Sequence, residues 1–592
     1  MRRLTVWLLV LALTAGSAAG QQFAADIAAA RALFEANLAA IAGRDRDAYL
    51  ACYLQSERLA RTGPEGFSLG YEGLAEGTGE GWPEVFEAQE LRFVPVAPGL
   101  VYGTYRYRVR FDGAEQTGLS ERLFMETPEG WRIAVTTAFP APPGTAPPAR
   151  ALAGATLVDG TGGEPLRDAV VVLRGGRIEC AGARGDCPVP DGVAQVDLSG
   201  SWITPGLIDT HVHFSQTGWA DGRPDFIDVR DRHPYEEAIA ERRRSPETFY
   251  RAFLCSGVTG VFDVGGYPWT WQLGEVAEGD SLAPHVGAAG PLLTTLDHWI
   301  NLPGEKQLVY VADEQEARDG VAYLAAGGAD AVKIWFINHD GRPFEEMEAA
   351  VMAAGEEARA RELPLIAHST GLVEAKVAVR AGAHLLVHSV WDREVDDEFV
   401  RLLQERGTIY CPTLTVSGGY QRLAEAVLAG EEPEIDDPNG CVDTETLARV
   451  ASSAELGAGE LTAERLERRA ARNAERERIG ALNLARLAEA GVPIAMGTDA
   501  GNPLTLHGPS VYAELEAMQA AGLEPMAVLV SATATAARAM GRENDLGTVE
   551  AGKIADLLVL AADPTADVSA FRRLTHVVRG GVLRPVAELS GR

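Results

Sequence analysis

Lysine is scarce in this chain of 592 residues, which carries only four lysines among its 53 basic residues. A lysine inside an apolar strand is therefore an unusual feature of this sequence. Negative charge is abundant instead, and the formal net charge is −31. This charge argues against nucleic acid or an anionic membrane surface as a partner. It does not identify a substrate, because acidic surfaces commonly serve only solubility.

The sequence contains no Cys-x-x-Cys pair among its six cysteines, which disfavours a metal site built from thiolates. Cys180 and Cys187 flank a short polar turn, so they could form a local disulfide bond. The other cysteines are scattered along the chain and are predicted to be buried thiols: Cys52, Cys255, Cys411 and Cys441.

An apolar run long enough to cross a membrane is absent beyond the N-terminal leader. Residues 1–20 combine Arg2 and Arg3, an apolar stretch and a series of small residues, which is typical of a secretory signal peptide. No cysteine follows the apolar stretch, so a lipoprotein anchor is not expected. We therefore expect an exported protein, periplasmic or extracellular, in an oxidising compartment.

Residues 21–143 are predicted to form an α+β domain. Apolar residues recur at helical spacing over residues 24–42, and a second short helix is predicted over 44–53. Antiparallel strands with one buried face follow the helices. They are predicted over residues 101–111, 119–126 and 131–137.

This N-terminal segment resembles the nuclear transport factor 2-like (SnoaL-like) fold. The resemblance rests on the helix over residues 44–49 (Arg-Asp-Arg-Asp-Ala-Tyr) and the strand over 129–133 (Glu-Gly-Trp-Arg-Ile). Members of that superfamily include enzymes as well as non-catalytic pocket and dimerisation modules. The resemblance implies an α+β cone, which we expect to support a homo-oligomer rather than the chemistry.

Two further domains are predicted from the rest of the chain. Short strands occupy residues 150–205, and a similar block over 545–592 closes the chain, so both segments are expected to form one small composite β-sandwich. Between them, residues 206–544 alternate apolar strands with helices, which indicates an α/β fold of the (β/α)8 TIM-like barrel type. The predicted strands are 207–213, 260–264, 285–290, 331–336, 365–369, 385–389, 409–414 and 494–499.

Five of these strands end in residues that can bind a metal ion, at the edge where barrel active sites lie. The imidazoles of His211 and His213 face the same side of the first strand, because alternate residues of a strand share a face. Any one of these side chains alone is more simply explained as structural. Several together in apolar strands are tolerable only if they compensate one another or hold ions. The set is His211, His213, Lys333, His368, His388 and Asp499.

In this order and context, these residues resemble the metal-dependent amidohydrolase superfamily. The resemblance covers residues 150–592, and it is closest to the imidazolonepropionase-like and prolidase-like branch. It implies two divalent metal ions, most often zinc in that superfamily. The implied ligands are His211, His213 and Asp499 for the first ion, His368 and His388 for the second, and a carboxylated Lys333 that bridges both.

The chemistry expected from such a site is hydrolysis by a hydroxide that both ions share. Addition of CO2 would turn Lys333 into a carbamate with one oxygen for each ion. Metal binding brings the pKa of water towards ~7, so a nucleophile exists at neutral pH. Asp499 is expected to orient the hydroxide, take its proton and deliver it to the leaving amine. Ser389 departs from the Gly or Cys expected after His388, which affects only the local shape of the pocket.

The favoured substrate is a small molecule with an amide bond, either a dipeptide or an N-acyl amino acid. A lactone or a phosphotriester remains an alternative, because the same hydroxide attacks those centres. A non-catalytic ligand-binding protein is a third interpretation, and the complete set of metal ligands argues against it. Candidate substrate contacts follow the predicted strands, although His298 is equally well explained as an ordinary loop residue: Tyr267, His298, His339 and His507.

Overall fold

The protein is described here from a computed structural model, which covers residues 4–63, 66–78, 82–111, 114–140, 149–223, 225–297 and 307–590. The chain divides into two compact units, residues 1–146 and 147–592. None of the helices within the covered ranges is long and apolar enough to cross a membrane. The prediction for His298 lies outside the described residues.

The N-terminal unit packs helices against a mainly antiparallel sheet. Its elements are α1 Leu4–Gly43, α2 Arg46–Ala51, β1 Ala60–Gly63, β2 Gly66–Leu69, α3 Tyr71–Gly77, β3 Val85–Ala97, β4 Leu100–Phe111, β5 Ala114–Thr127, β6 Gly130–Thr137 and β7 Phe139–Pro140. The strand order is β2-β1-β6-β5-β4-β3, and β7 pairs with β5. The three predicted strands are confirmed as β4, β5 and β6, whereas β3 has no counterpart among the predictions.

Alternation along β4 explains how this sheet acquires one buried and one solvent-facing side. Tyr105, Tyr107 and Val109 are buried in the core of the unit. Arg108 and Arg110 point to the other side, where they pair with carboxylates on or beside β3 at 3.0 and 2.9 Å. The sheet therefore has an apolar face that the helices cover.

The C-terminal unit contains many more elements. Its first strands are β8 Arg150–Leu157, β9 Leu166–Arg174, β10 Arg177–Ala183, β11 Ala194–Asp197 and β12 Trp202–Pro205. Alternating elements follow: β13 Leu207–Val212, α4 Tyr235–Arg244, α5 Glu247–Cys255, β14 Val258–Asp263, α6 Leu273–Glu278, β15 His285–Ala288, β16 Leu292–Thr294, β17 Leu308–Tyr310, α7 Glu314–Gly327, β18 Val332–Trp335, α8 Phe344–Ala360, β19 Leu365–His368, α9 Leu372–Ala381, β20 Ala383–Val387, α10 Asp397–Arg406 and β21 Ile409–Cys411. The unit closes with α11 Val416–Ala429, α12 Thr444–Ala451, α13 Ala463–Glu489, α14 Ser510–Ala520, α15 Pro525–Ser531, α16 Ala534–Ala539, β22 Leu557–Leu560, β23 Leu574–Arg579, β24 Val582–Pro585 and α17 Val586–Leu589.

Capping residues set the ends of several of these helices. The Asp313 side chain accepts a hydrogen bond from the Glu316 N–H at the start of α7. Gly328 ends the same helix in a left-handed conformation, with φ of 84°. Thr462 caps the start of α13 by accepting from the Arg465 N–H. Local sequence therefore fixes where α13, the longest helix of this unit, begins.

A mixed sheet joins the two ends of the C-terminal unit. Its strand order is β10-β9-β8-β12-β22-β23-β24, and β11 pairs with β8. The antiparallel pairing of β12 with β22 brings Ile203 opposite Val559. One sheet therefore contains strands from the beginning and from the end of this unit.

Parallel strands make up the other sheets. The strands β13, β14 and β15 pair in one sheet, and the second has the order β17-β16-β18-β19-β20-β21. Residues 494–500 connect one edge strand of each sheet by single parallel bridges. Ile494 pairs with Tyr410 on β21, and Ala500 pairs with Val212 on β13. The eighth predicted strand is thus a bridging segment rather than a regular strand. Its backbone does not stay extended, because Asp499 has a φ of 63°.

Two disulfide bonds are present. Cys180 is joined to Cys187, as the sequence suggested. Cys255 is joined to Cys441, so the prediction that both are thiols is wrong. Their sequence separation of 186 conceals the pairing in the sequence, since only the fold brings their Cα atoms to 5.5 Å. The remaining cysteines, Cys52 and Cys411, are buried thiols, as predicted.

Candidate metal centre and active site

The predicted metal ligands converge at the C-terminal ends of the parallel strands, around a cavity of about 230 Å³. The ring centroid of His211 lies 5.2 Å from that of His213 and 4.8 Å from that of His388. The rings of His368 and His388 are 4.3 Å apart. Ligand atoms of His211, His388 and Asp499 all lie within 4.8 Å of one another. All six line the cavity: His211, His213, Lys333, His368, His388 and Asp499.

Asp499 reaches this site because its segment runs very close to β13. The Asp499 N–H donates a hydrogen bond to the His211 carbonyl oxygen at 2.7 Å. The buried carboxylate of Asp209 accepts two hydrogen bonds, from the His211 N–H at 3.1 Å and from the Thr498 N–H at 3.0 Å. Gly497 permits this approach, since a Cβ there would lie 2.6 Å from Cys411 Sγ and 2.9 Å from His211 Cβ. Glycine is thus required two residues before the aspartate.

Two of the candidate ligands have a left-handed backbone. The φ values are 75° for His388 and 63° for Asp499. Such conformations are uncommon for residues other than glycine and cost on the order of 1–3 kcal/mol each. The His388 N–H donates to the Cys411 carbonyl oxygen at 2.9 Å, and its ring Nδ1 lies 2.7 Å from the Thr413 hydroxyl. These contacts hold the imidazole where the strand ends.

The contact between His213 and Asp499 requires a positive charge. His213 Nε2 lies 2.9 Å from Asp499 Oδ1, and His211 Nε2 lies 3.3 Å from the same oxygen. His213 Nδ1 lies 2.7 Å from the carbonyl oxygen of Gly265, so this nitrogen carries a hydrogen and donates it. A neutral His213 then directs its Nε2 lone pair at a carboxylate oxygen. Two acceptors repel each other unless a second proton or a cation lies between them, and a divalent cation suits these ligands.

Burial keeps three imidazoles of this site neutral, those of His211, His368 and His388. Burial and the charge of Lys333 lower the pKa values of His211 and His368 well below their usual range. Burial and the neighbouring His368 do the same to the pKa of His388. A neutral imidazole offers the lone pair that a metal ion needs. Burial alone would raise the pKa of Asp499, but adjacent imidazole and ammonium groups lower it, so this carboxylate is ionised at neutral pH.

Lys333 is the one lysine of this site, and only 1% of it is exposed. No described residue forms a hydrogen bond or an ion pair with its ammonium group. Burial lowers the pKa of Lys333 to about 8, although Asp499 acts in the opposite direction. An amine with this pKa is partly unprotonated near neutral pH and can therefore react with CO2.

The cavity is also lined by several residues that no sequence motif singled out. Arg223 donates a hydrogen bond to the Asn502 side-chain oxygen at 3.0 Å. For two of these residues the sequence offered one signal, which is their position close to a candidate ligand along the chain. Gln216 and Asn502 each follow a candidate ligand by three residues. The full set is Gln216, Arg223, Leu292, Gln307, Leu308, Trp335 and Asn502.

Tyr267 and His339 do not line this cavity in the described structure. Tyr267 is buried, and its hydroxyl donates to the Tyr235 hydroxyl at 2.9 Å. Tyr235 in turn contacts the cavity residue Gln307 at 3.3 Å. His339 Nε2 lies 3.3 Å from the Thr295 carbonyl oxygen. Their direct contact with a substrate stays a prediction.

His507 and Ser389 also lie outside the lining of the cavity. His507 is buried and stacks on Phe249 with ring centroids 3.9 Å apart. Burial lowers the pKa of His507 to about 3, and its Nε2 lies 3.0 Å from the carbonyl oxygen of His213. It therefore supports the backbone of a candidate ligand. The Ser389 hydroxyl donates to the Pro412 carbonyl oxygen at 3.0 Å.

A second cavity of about 260 Å³ adjoins the first and shares His368, His388 and Asp499 with it. Its outer wall carries three arginines of α13 at spacings of three and four, so they share one face of the helix. Within the described residues, no carboxylate lies within ion-pair distance of any of the three. Three other arginines nearby are paired with glutamates at 2.5 to 3.0 Å. The unpaired residues, named here the arginine wall, are Arg469, Arg472 and Arg476.

Comparisons with known proteins show what this chain is similar to. Residues 202–584 match the amidohydrolase family. Imidazolonepropionase of Aromatoleum aromaticum is 30% identical over 417 residues, which cover 69% of this chain and 89% of that protein. The 5-methylthioadenosine/S-adenosylhomocysteine deaminase of Symbiobacterium thermophilum is 24% identical over 446 residues, covering 71% and 87%. Among solved structures, a Xaa-Pro dipeptidase with bound methionine in the active site matches with a TM-score of 0.55 and 22% identity over 74% of this chain and 100% of its own.

Proposed function

Because this chain belongs to the amidohydrolase family and is a hydrolase of C–N bonds, we propose that it is a binuclear metal enzyme that cleaves an amide bond in a small molecule bearing a carboxylate. The substrate class is a dipeptide or an N-acyl amino acid. The convergence of four imidazoles, Lys333 and Asp499 on one buried cavity carries this proposal.

The proposed framework is a closed (β/α)8 barrel over residues 206–544. The parallel pairing of neighbouring strands supports it, together with the bridges that residues 494–500 make to both outer edges. A composite β-sandwich from residues 150–205 and 545–592 is supported by the mixed sheet that joins the two segments. For residues 21–143 we propose the nuclear transport factor 2-like cone as an oligomerisation module, and for 1–20 a signal peptide that leads to export.

Two divalent metal ions, assigned here as zinc, are proposed at the cavity because neutral imidazoles and a carboxylate are suitable ligands. Such ions, when bound, lower the pKa of water to about 7 and polarise a carbonyl group. The low pKa of Lys333 supports a carbamate at this position, as does the lack of a partner for its ammonium group among the described residues. The proposed assignment is His211, His213 and Asp499 for one ion, His368 and His388 for the other, and carboxylated Lys333 for both.

Asp499 is the proposed proton carrier. Its lowered pKa keeps the carboxylate ionised, so Asp499 can accept the proton of the attacking water and donate it to the leaving amine. The apolar side chains of Leu292, Leu308 and Trp335 line the same cavity and restrict bulk water around the reacting groups. Arg223 and Asn502 remain available to orient the polar groups of the amide.

The arginine wall supports a substrate with a carboxylate. It faces the cavity that adjoins the metal ligands, and three guanidinium groups there have no carboxylate of the protein as a partner among the described residues. Guanidinium groups bind carboxylates by paired hydrogen bonds. In a chain with a net charge of −31, an unpaired basic wall beside the reaction centre favours an anionic substrate.

Zinc-loaded protein is expected to hydrolyse dipeptides and N-acyl amino acids. The matching substrates with an amidated C-terminus should lose about tenfold or more in kcat/KM, because one charged contact is removed. Steady-state assays of a panel that contains both forms, lactones and a phosphotriester measure this. Turnover of a lactone or phosphotriester with no amide hydrolysis would refute the proposal, and so would full activity of metal-stripped protein.

The double variant Arg472→Gln/Arg476→Gln is expected to raise KM for the carboxylate substrate about tenfold, with little change in kcat. The amidated substrate should show no such increase, because it lacks the anionic partner. The matched control is Arg465→Gln/Arg468→Gln, whose arginines pair with Glu460 and Glu464. An equal rise in KM for both substrates would contradict carboxylate recognition by the wall.

A further inference from the structure

A cavity of about 810 Å³ lies within the N-terminal unit, whereas the cavity at the metal ligands measures about 230 Å³. It is formed by the buried side of the sheet and by α1, α2 and α3. Cavities of roughly 300–1,000 Å³ are the usual size of sites for small organic molecules. The N-terminal unit therefore has room for a ligand of its own.

Aromatic rings and hydroxyl groups dominate the walls of this cavity. Although the chain has 84 acidic residues, none of the described residues that line this cavity is aspartate or glutamate. Among the same described residues, the charged ones are two arginines, Arg61 and Arg122. The aromatic lining residues are Tyr49, Tyr53, Phe67, Trp82, Phe86, Tyr105, Tyr107 and Phe111.

Arg122 is a buried charge without a counter-charge among the described residues. Only 5% of it is exposed, and no carboxylate of the described residues lies within ion-pair distance. Its guanidinium donates to the Asn37 side-chain oxygen at 2.6 Å and to the Tyr105 hydroxyl at 2.8 Å. Its Nε is buried and has no hydrogen-bond partner among the described residues. Arginine stays protonated in proteins, so this positive charge persists in the cavity.

A second guanidinium, that of Arg61, also has a buried donor that makes no hydrogen bond to a described residue. The Nε of Arg61 on β1 is also buried and lacks a partner among the described atoms. Burial of an unpaired charge is unfavourable unless a counter-ion compensates it. Two arginines with unused donors, in a cavity whose described lining residues include no carboxylate, therefore provide a site for an anion, and the surrounding rings provide contacts for an aromatic group.

We propose that this cavity is a second small-molecule site, which binds an aromatic carboxylate through Arg122. The aromatic body would lie among the tyrosine and tryptophan rings, and the carboxylate would accept hydrogen bonds from the guanidinium. This site is separate from the metal ligands and does not depend on the function proposed for them. Its ligand need not be the substrate of the hydrolase.

The binding of 1-naphthoate, biphenyl-4-carboxylate and indole-3-acetate to the full chain tests this site by isothermal titration calorimetry. Each acid is compared with its primary amide, which has the same shape and no charge. We expect at least one acid to bind, and its amide to bind about 10- to 100-fold more weakly, because a charged hydrogen bond is lost. This comparison uses the unaltered protein, so it does not depend on the folding of a variant.

Variants then locate the bound acid. Arg122→Met should weaken binding of the acid about 10- to 100-fold. Arg110→Gln is the matched control, since Arg110 lies on the opposite side of the same sheet and pairs with Glu84. Binding should also be unchanged in Arg472→Gln/Arg476→Gln, which removes charge from the arginine wall of the other unit.

Three results would overturn the assignment. The first is that no acid of the panel binds at about 1 mM. The second is that acids and amides bind equally well. The third is that the Arg472→Gln/Arg476→Gln variant, and not a folded Arg122→Met variant, loses binding, which would assign the acids to the hydrolase cavity instead.

Discussion

Replacement of Asp499 by asparagine is expected to lower kcat for amide hydrolysis by about 10³-fold or more. Asparagine keeps the size of the side chain but cannot accept and return a proton at neutral pH. The backbone of residue 499 has a φ of 63°, and asparagine tolerates this left-handed conformation better than most residues. The variant should therefore fold, and thermal unfolding together with steady-state kinetics measures both properties.

Asp340→Asn provides the control for this experiment. Asp340 is an exposed residue in the loop after β18, so the same change of charge occurs away from the cavity. Its kcat should stay at the level of the unaltered enzyme. If Asp499→Asn kept kcat within about tenfold of that level, another residue would have to carry the proton.

Replacement of Lys333 by alanine is expected to remove at least one of the two proposed metal ions and to lower kcat by about 10³-fold. The reason is the loss of the proposed bridging anion, which leaves two cations without a shared ligand. Short carboxylic acids such as acetate or propionate fit the space left by the side chain and should restore part of the activity. Metal analysis and kinetics with and without propionate measure these effects.

Lys376→Ala is the matched control in a chain that has only four lysines. Lys376 pairs with Asp396 and Glu398, both at 2.6 Å, and does not line the cavity. Its replacement should leave metal content and kcat unchanged. Two bound metal ions and normal turnover in Lys333→Ala would rule out the bridging carbamate, whereas a labelled carbamate carbon seen after incubation with ¹³CO2 would support it.

The parallel strands and the residues that the structure brings to their ends were predictable because both signals are local. An apolar run of strand length carries its own periodicity, and a histidine or lysine at its end is visible in the sequence. Once several strands share a sheet, parallel geometry places those ends side by side. The convergence of His211 and Asp499 therefore follows from topology, although nearly 300 residues separate them.

Other features depend on contacts that no local pattern encodes. The disulfide bond between Cys255 and Cys441 needs the fold to bring two distant segments of the chain together. In the sequence, the arginines of α13 cannot be told apart from other solvent-exposed arginines. Only tertiary packing separates the arginines that line the cavity without a carboxylate partner from those paired with glutamates. The cavity around Arg122 likewise arises from side chains of several strands and helices. Residues 494–500 lie where the eighth strand was predicted, between the two parallel sheets. They do not form a regular strand, because Asp499 leaves the extended conformation.

The left-handed conformations of His388 and Asp499 have a consequence for the evolution of this protein. At both positions the backbone favours glycine or asparagine, while the chemistry needs an imidazole and a carboxylate. Selection for thermal stability alone would therefore favour mutations at these two codons that eliminate activity. Improved variants of this enzyme should be sought by screening for turnover and heat resistance together, with both codons held fixed.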